Sequence, residues 1–209
     1  MKKLSVALSI FIALLFCQHL KAQAKKGEFS YALQPAVNFC QIDGDGDGGF
    51  RKFGYSLGVW IGRGMGKNWN SETGFAFSTR GSRRAFDPEN PGNAQFNYHY
   101  SMIDIPFFMV KYAGSFHFGP GIRTTFLLSA EDKEGFYNDL KSDMRGTGLL
   151  GCVMLGYKWK QKSLFRLEYQ YSLQSIRKGN TAGNLFFPTG VYHHVVSLGY
   201  CLQFSSANE

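Results

Sequence analysis

The chain has 209 residues, of which 44% are hydrophobic and 18% charged, a balance that excludes a disordered polypeptide. Mean hydropathy is -0.20, and outside the extreme N-terminus no apolar run approaches the ~20 residues of a spanning helix, which excludes a polytopic helical membrane protein but leaves a β-barrel open. The 25 glycines, 20 phenylalanines and 11 tyrosines are too many for helices and a soluble core, and they call for surfaces that favour aromatic side chains.

Met1-Lys2-Lys3 is a positive start, and Leu4 to Phe16 is an apolar stretch too short to span a bilayer but long enough for export. Ala22-Gln23-Ala24 supplies small residues for cleavage after Ala24 or after Ala22, so residues 1–24 read as a signal peptide and 25–209 as a single exported domain. Bulky Phe16 before Cys17 argues against a lipoprotein signal. Removing Lys2, Lys3 and Lys21 from the 23 basic residues leaves 20 against 15 acidic, a net charge of +5. These cations are dispersed rather than gathered on one helix or stripe, so no nucleic-acid partner is expected. Cys40, Cys152 and Cys201 form an odd set on strands, with Cys40 and Cys201 at opposite heights, and imply no disulfide framework.

From Lys25 onward the apolar period is two, the pattern of half-buried strands. The first strand sets Phe29, Tyr31, Leu33, Val37 and Phe39 against Ser30, Ala32, Gln34, Ala36 and Asn38. The second opposes Phe53, Tyr55, Leu57, Val59 and Ile61 to Gly54, Ser56, Gly58, Trp60 and Gly62. The third carries Thr73, Phe75, Phe77 and Thr79 on one face, with Glu72, Gly74, Ala76, Ser78 and Arg80 on the other. The fourth puts Ile103, Ile105, Phe107 and Met109 outside and Asp104 and Pro106 inside. The fifth alternates Phe116, Phe118, Pro120, Ile122, Thr124, Phe126 and Leu128 with His117, Gly119, Gly121, Arg123 and Thr125. The sixth, Thr147 to Trp159, is apolar on both faces, so its orientation stays open. The seventh opposes Phe165, Leu167, Tyr169, Tyr171 and Leu173 to Arg166, Glu168, Gln170, Ser172 and Gln174; the eighth opposes Val196, Leu198, Tyr200, Leu202 and Phe204 to Val195, Ser197, Gly199, Cys201 and Gln203.

In a soluble barrel the apolar face would be the core; in a membrane barrel it faces lipid. Inversion is favoured because the polar faces are dense in Gly, Ala and Ser, which suits a crowded small interior, and the apolar faces are rich in Phe and Tyr toward strand ends. Connections also alternate between short turns (Gly66 to Asn68, Ala113 to Ser115, Lys160 to Ser163) and long polar loops (Gln41 to Lys52, Ser82 to Gln95, Ala130 to Met144, Ile176 to Gly190). The expectation is an all-β, eight-stranded antiparallel up-and-down transmembrane β-barrel, closed because lipid cannot satisfy a free strand edge. A secreted lipocalin-like barrel is the alternative.

The segments Tyr100-Ser-Met-Ile-Asp-Ile-Pro-Phe-Phe-Met-Val-Lys-Tyr112, Phe118-Gly-Pro-Gly-Ile122, Phe165-Arg-Leu-Glu-Tyr-Gln-Tyr-Ser-Leu173 and Val196-Ser-Leu-Gly-Tyr200 resemble the PorT-like, porin-family outer-membrane β-barrel proteins of Bacteroidetes. The resemblance implies an eight-stranded barrel in the outer membrane. It also permits a role as accessory to a protein-secretion or gliding machinery. The alternating tail to Phe204 is similar to the closing strand read by the barrel assembly machinery, although Ser205 to Glu209 follow the aromatic.

Three constellations have chemical potential. Asp43, Asp45 and Asp47 in Asp43-Gly-Asp-Gly-Asp-Gly-Gly49 open like a calcium loop, but its twelfth position is Gly54 rather than a bidentate Glu, so a plain loop is the expectation and no cofactor or metal is assigned. Glu72, Arg80, Asp104, Arg123, Arg166 and Glu168 face inward; unpaired charge is costly there, so they are expected to form a salt-bridged network that plugs the lumen. His99 with Ser101, and His193 and His194 with Ser197, offer a base and a nucleophile without an acidic orienter, so no enzyme is expected and no catalytic residue is assigned. The expected protein is a monomer in the outer membrane. It contacts lipid, the assembly machinery during insertion and envelope proteins, and has a structural or surface-binding role; narrow-pore transport and surface lipid modification are the further alternatives.

Overall fold

The computed structural model describes residues 26–44, 48–86, 88–89, 95–134, 140–160, 162–178 and 190–205. The signal peptide expected at residues 1–24 lies outside the described residues. Eight strands follow in chain order: β1 (Phe29–Asp43), β2 (Lys52–Gly66), β3 (Trp69–Arg84), β4 (Phe96–Ala113), β5 (Phe116–Asp132), β6 (Thr147–Lys160), β7 (Ser163–Ser172) and β8 (Tyr192–Ser205). One short helix, α1 (Leu140–Asp143), lies between β5 and β6. Each strand pairs antiparallel with the next, and β1 pairs with β8, so the sheet closes into an eight-stranded up-and-down barrel.

The faces divide as the period-two pattern requires. Phe53, Tyr55, Leu57, Val59 and Ile61 of β2, and Phe165, Leu167 and Tyr169 of β7, point away from the protein. Gln34, Asn38, Glu72, Asp104, Arg123, Arg166 and Glu168 are buried inside. The outward apolar rows run from Phe53 to Ile61 on β2 and from Phe118 to Leu128 on β5, which matches the ~9–11 residues a tilted strand needs to cross hydrocarbon. A soluble barrel would put this surface in water. Here it forms a lipid-facing belt on a transmembrane-type barrel. The two apolar faces of β6 are resolved: Leu149, Val153 and Leu155 face outward, while Leu150, Cys152 and Met154 face inward.

The short connections mark one end of the barrel, here called the inner end. The β2–β3 turn has Lys67 and Asn68 at φ 52 and 64°, both left-handed as in the type I′ hairpins whose twist suits paired strands. At this end Lys111 lies 5.1 Å from the Trp69 ring centroid and Arg63 5.7 Å from that of Phe29, cations on aromatic faces at the border of the belt. The long connections lie at the outer end.

Prolines fit the strands at a local cost. Pairing with β8 skips Gln34 and Pro35, pairing of β4 with β3 skips Ile105 and Pro106, and pairing of β5 with β4 skips Gly119 and Pro120. A ring without an N–H cannot complete the ladder. Thr73 Oγ1 donates to the free Pro106 carbonyl at 2.9 Å.

The wall overlaps itself near the outer end. The β2–β3 ladder stops at Ser56–Ser78, whereas β1–β2 continues to Cys40–Lys52 and β3–β4 to Arg84–Phe96. Beyond that point β2 lies across the outward face of β3. Tyr55 N–H donates to Thr79 Oγ1 at 2.9 Å, Asn38 Nδ2 donates to the Thr79 carbonyl at 3.2 Å, and Lys52 Nζ donates to Asn97 Oδ1 at 2.5 Å. Gly54 permits the approach, since a Cβ there would run into the Thr79 carbonyl. Thr79, expected on the greasy outer face, is therefore buried, with Ser78 to Ser82 covered on both sides.

Candidate functional site

Inside the barrel, side chains form three layers. The middle one is ionic. Arg80 Nη2 donates to Asp104 Oδ2 at 2.6 Å, and Arg123 Nη1 donates to the same oxygen at 3.0 Å. Arg123 Nη2 reaches Glu168 Oε2 at 2.5 Å, Arg166 Nη1 lies 3.9 Å from Glu168 Oε1, and Arg166 Nη2 donates to Glu72 Oε2. All six inward charges read from the sequence are thus brought together in one chain, Arg80–Asp104–Arg123–Glu168–Arg166–Glu72, and it is formally neutral. The register explains the assembly: β3, β4, β5 and β7 each bring one or two of these residues to the inward face.

The chain is held by neutral partners that the charge pattern did not reveal. Tyr112 OH donates to Glu72 Oε1 at 3.0 Å, Gln34 Nε2 and Gln170 Nε2 approach Glu168 at 3.4 and 3.3 Å, and the Arg166 guanidinium lies 4.6 Å from the Trp60 ring centroid. Trp60 was visible as the one large residue on the glycine-rich face of β2; its pairing with Arg166 requires contact across the lumen, which strand period cannot give. Large interior groups face glycines in the wall. Phe108 fills the space beside Gly121, and the His117 ring occupies the place a Gly156 side chain would need. Toward the inner end, Trp60, Phe108 and Val110 join Leu150, Cys152 and Met154 in an apolar layer, with His117 stacked on Tyr112 at 5.1 Å.

The third layer, toward the outer end, was not anticipated. Ile42, Phe96, Tyr98, Tyr100 and Met102 cluster with Ala130, and Leu140 of α1 and Met144 reach in from the β5–β6 connection. Phe96, Tyr98 and Tyr100 form a run of adjacent rings that ends edge-on against His193 at 5.3 Å. The β5–β6 connection is tied to the one after β7: Arg145 N–H donates to the Ile176 carbonyl and Lys178 N–H to that of Asp143, both at 2.8 Å. Tyr98 and Tyr100 share the inward parity of Asp104 on β4, but the docking of Leu140 and Met144 depends on loop geometry without a periodic signal.

The remaining candidates separate. His99 and Ser101 lie on the outward face of β4. His193 is inward and buried, with no hydrogen bond to either ring nitrogen; His194 is outward among Phe50, Tyr169 and Tyr171; and Ser197 is inward, opposite Glu168 in the ladder. Asp43 ends β1, and its Oδ1 accepts from Gln41 Nε2 at 2.9 Å and lies 3.8 Å from His194 Nδ1. Asp45 and Asp47 lie outside the described residues. Among the described residues no group of three or more His, Cys, Asp or Glu side chains is arranged to hold a metal. Cys40, Cys152 and Cys201 are free and buried.

No protein-family model matches the chain, and no curated protein does. Among solved structures, Neisserial surface protein A (NspA) is similar at 11% identity, over 83% of this chain and 97% of that one, with a TM-score of 0.52. Ail, the attachment invasion locus protein of Yersinia pestis, is 14% identical, covering 86% and 99% with a TM-score of 0.46. OprG from Pseudomonas aeruginosa is 14% identical, covering 87% and 98% with a TM-score of 0.43. At 11% identity the likeness to NspA speaks for the fold alone, and the fold it supports is the small closed outer-membrane barrel.

Proposed function

We propose that the chain is an exported, monomeric, non-enzymatic protein of the outer membrane, with its long-loop end at the cell surface and its lumen plugged, serving a structural or surface-binding role. The observation that carries this reading is the compensated six-residue chain across the lumen. Ions crossing an eight-stranded barrel must pass side chains that already fill it, and breaking a buried ion pair leaves an uncompensated charge. The lipid-facing belt supports the location, and the likeness in fold to a protein described as a neisserial surface protein agrees with it. The assembly machinery is the expected partner during insertion and membrane lipid the permanent one.

The test is conductance in planar bilayers. The purified barrel is expected to give no unitary steps at either polarity; well-resolved, reproducible channel steps would remove the plug from this reading. A second reading, an accessory of a secretion or gliding machinery, is supported by the PorT-like segments from Tyr100 to Tyr112 and Phe165 to Leu173. Co-purification of large envelope partners with the tagged chain from mild-detergent extracts would favour it.

A further inference from the structure

Two hollows in the outer layer share Tyr100 and Met144. The larger has a volume of about 150 Å³ and is lined by Ile42, Tyr98, Tyr100, Met144, Val191 and Arg177. A cavity of about this volume holds a molecule the size of benzene. The smaller, about 20 Å³, continues inward to His193 and Arg145.

The chemistry of the lining is lopsided. Two tyrosine rings, an isoleucine, a valine and a methionine supply an apolar body site. The polar groups are cationic or neutral. Arg177 Nε, Arg145 Nε and both ring nitrogens of His193 are buried without a hydrogen-bond partner, and His193 is only 2% exposed. No carboxylate is among the described residues that line either hollow. Buried donors without acceptors are rare in folded proteins and costly, and a donor set with one sign of charge selects the opposite charge in a ligand. Backbone bonds hold the arginines in place: Arg145 N–H to the Ile176 carbonyl, and Met144 bridged to Arg177.

We propose that this outer chamber is a binding site for a small organic monoanion with a flat apolar body, of the class of an aromatic carboxylate. The body lies against Tyr98, Tyr100 and Met144 and the anionic group meets Arg177. This gives the surface-binding role a ligand chemistry and rests on that reading only for the side from which the ligand arrives. Occupancy of the chamber is independent of whether the central layer conducts.

The experiment is calorimetric titration of the full-length mature barrel in detergent with three probes: benzoate, benzyl alcohol and inorganic phosphate. Benzoate is expected to bind, with benzyl alcohol weaker by roughly tenfold or more, the value of a charge-assisted hydrogen bond. Phosphate is expected to give no heat. Arg177→Gln should weaken benzoate by roughly tenfold and leave benzyl alcohol unchanged. Val191→Trp, which fills the chamber and keeps every cation, should abolish both. Equal binding of benzoate and benzyl alcohol, phosphate binding as tight as benzoate, or benzoate binding unaffected by Arg177→Gln would each overturn the proposal, as would the absence of benzoate heat. Heat-modifiable gel mobility reports folding of each variant, and if Val191→Trp fails to fold, Arg177→Gln alone decides. A barrel that conducts yet binds benzoate sinks the plug and spares the chamber; a silent barrel that ignores benzoate does the reverse.

Discussion

The central layer and the outer chamber lie a few residues apart along the same strands, yet they treat charge in opposite ways. In the centre Arg80, Arg123 and Arg166 meet Asp104, Glu168 and Glu72 in an unbroken sequence of contacts. In the chamber, Arg145, Arg177 and His193 face aromatic and aliphatic groups with no carboxylate among the described lining residues. The difference separates two uses of buried polarity. Arg80, Arg123 and Arg166 also keep an Nε without a partner, so the contrast lies in charge: carboxylates balance the central guanidinium groups, whereas no described carboxylate balances those of the chamber.

The sharpest way to break the comparison is to make the centre resemble the chamber. Arg123→Met leaves Asp104 and Glu168 short of their shared partner, with a net negative charge in the lumen. We expect a loss of about 3–5 kcal/mol, the range for removing one member of a buried ion pair. Urea unfolding of the variant in lipid vesicles measures it. A change within the noise of the transition would mean that the central contacts are incidental to stability.

The next effect is steric and tests how tightly the lumen is filled. Gly156→Leu drives a side chain into the space of the His117 ring. The expected destabilisation is about 1–3 kcal/mol, as for overpacked cores. The double variant Gly156→Leu with His117→Ala should recover most of it in the same urea titration. Failure of the second substitution to rescue would place the strain in the backbone rather than in the lumen.

These two predictions draw on different depths of the sequence. Period two was enough to orient every strand but β6, because a one-residue slip would turn Phe53, Tyr55, Leu57, Val59 and Ile61 of β2 inward, and it placed all six central charges on one side of the wall. It did not reveal which charge meets which, since Arg166 and Glu72 come from β7 and β3, across the lumen, where strand period is silent. Nor could it reveal the overlap at Thr79, where alternation gives the correct direction and the wrong environment: a second strand lies on the outward face. The outer chamber was hidden for a related reason. Its floor is periodic, with Tyr98, Tyr100 and His193 at inward positions, but its roof is Leu140, Met144 and Arg177 from connections that follow no period.

The overlap offers a smaller, local test. Thr79→Val keeps the shape and deletes the hydroxyl that accepts from Tyr55 N–H, stranding a backbone donor at a seam where the ladder is already interrupted. The cost should be about 1 kcal/mol. Its signature is positional: amide exchange at Tyr55 should quicken by roughly fivefold, while amides of the continuous β5–β6 ladder keep their rates. Uniform acceleration would show that the seam opens only with the whole barrel.

The smallest expected effect on stability returns to the opening contrast. Arg177→Gln removes a guanidinium that no described carboxylate compensates and that stands on a connection rather than on the barrel wall, so its unfolding free energy should stay within about 0.5 kcal/mol of the parent. The pair Arg123→Met and Arg177→Gln is then a two-way experiment. The first should lose stability without being needed for benzoate, and the second should lose benzoate without losing stability. Urea midpoints and calorimetric heats on the same preparations supply both axes. If Arg177→Gln is as destabilising as Arg123→Met, its guanidinium is a structural tie like those of the centre, and the distinction between a charge-balanced layer and an unbalanced one fails at its outer half.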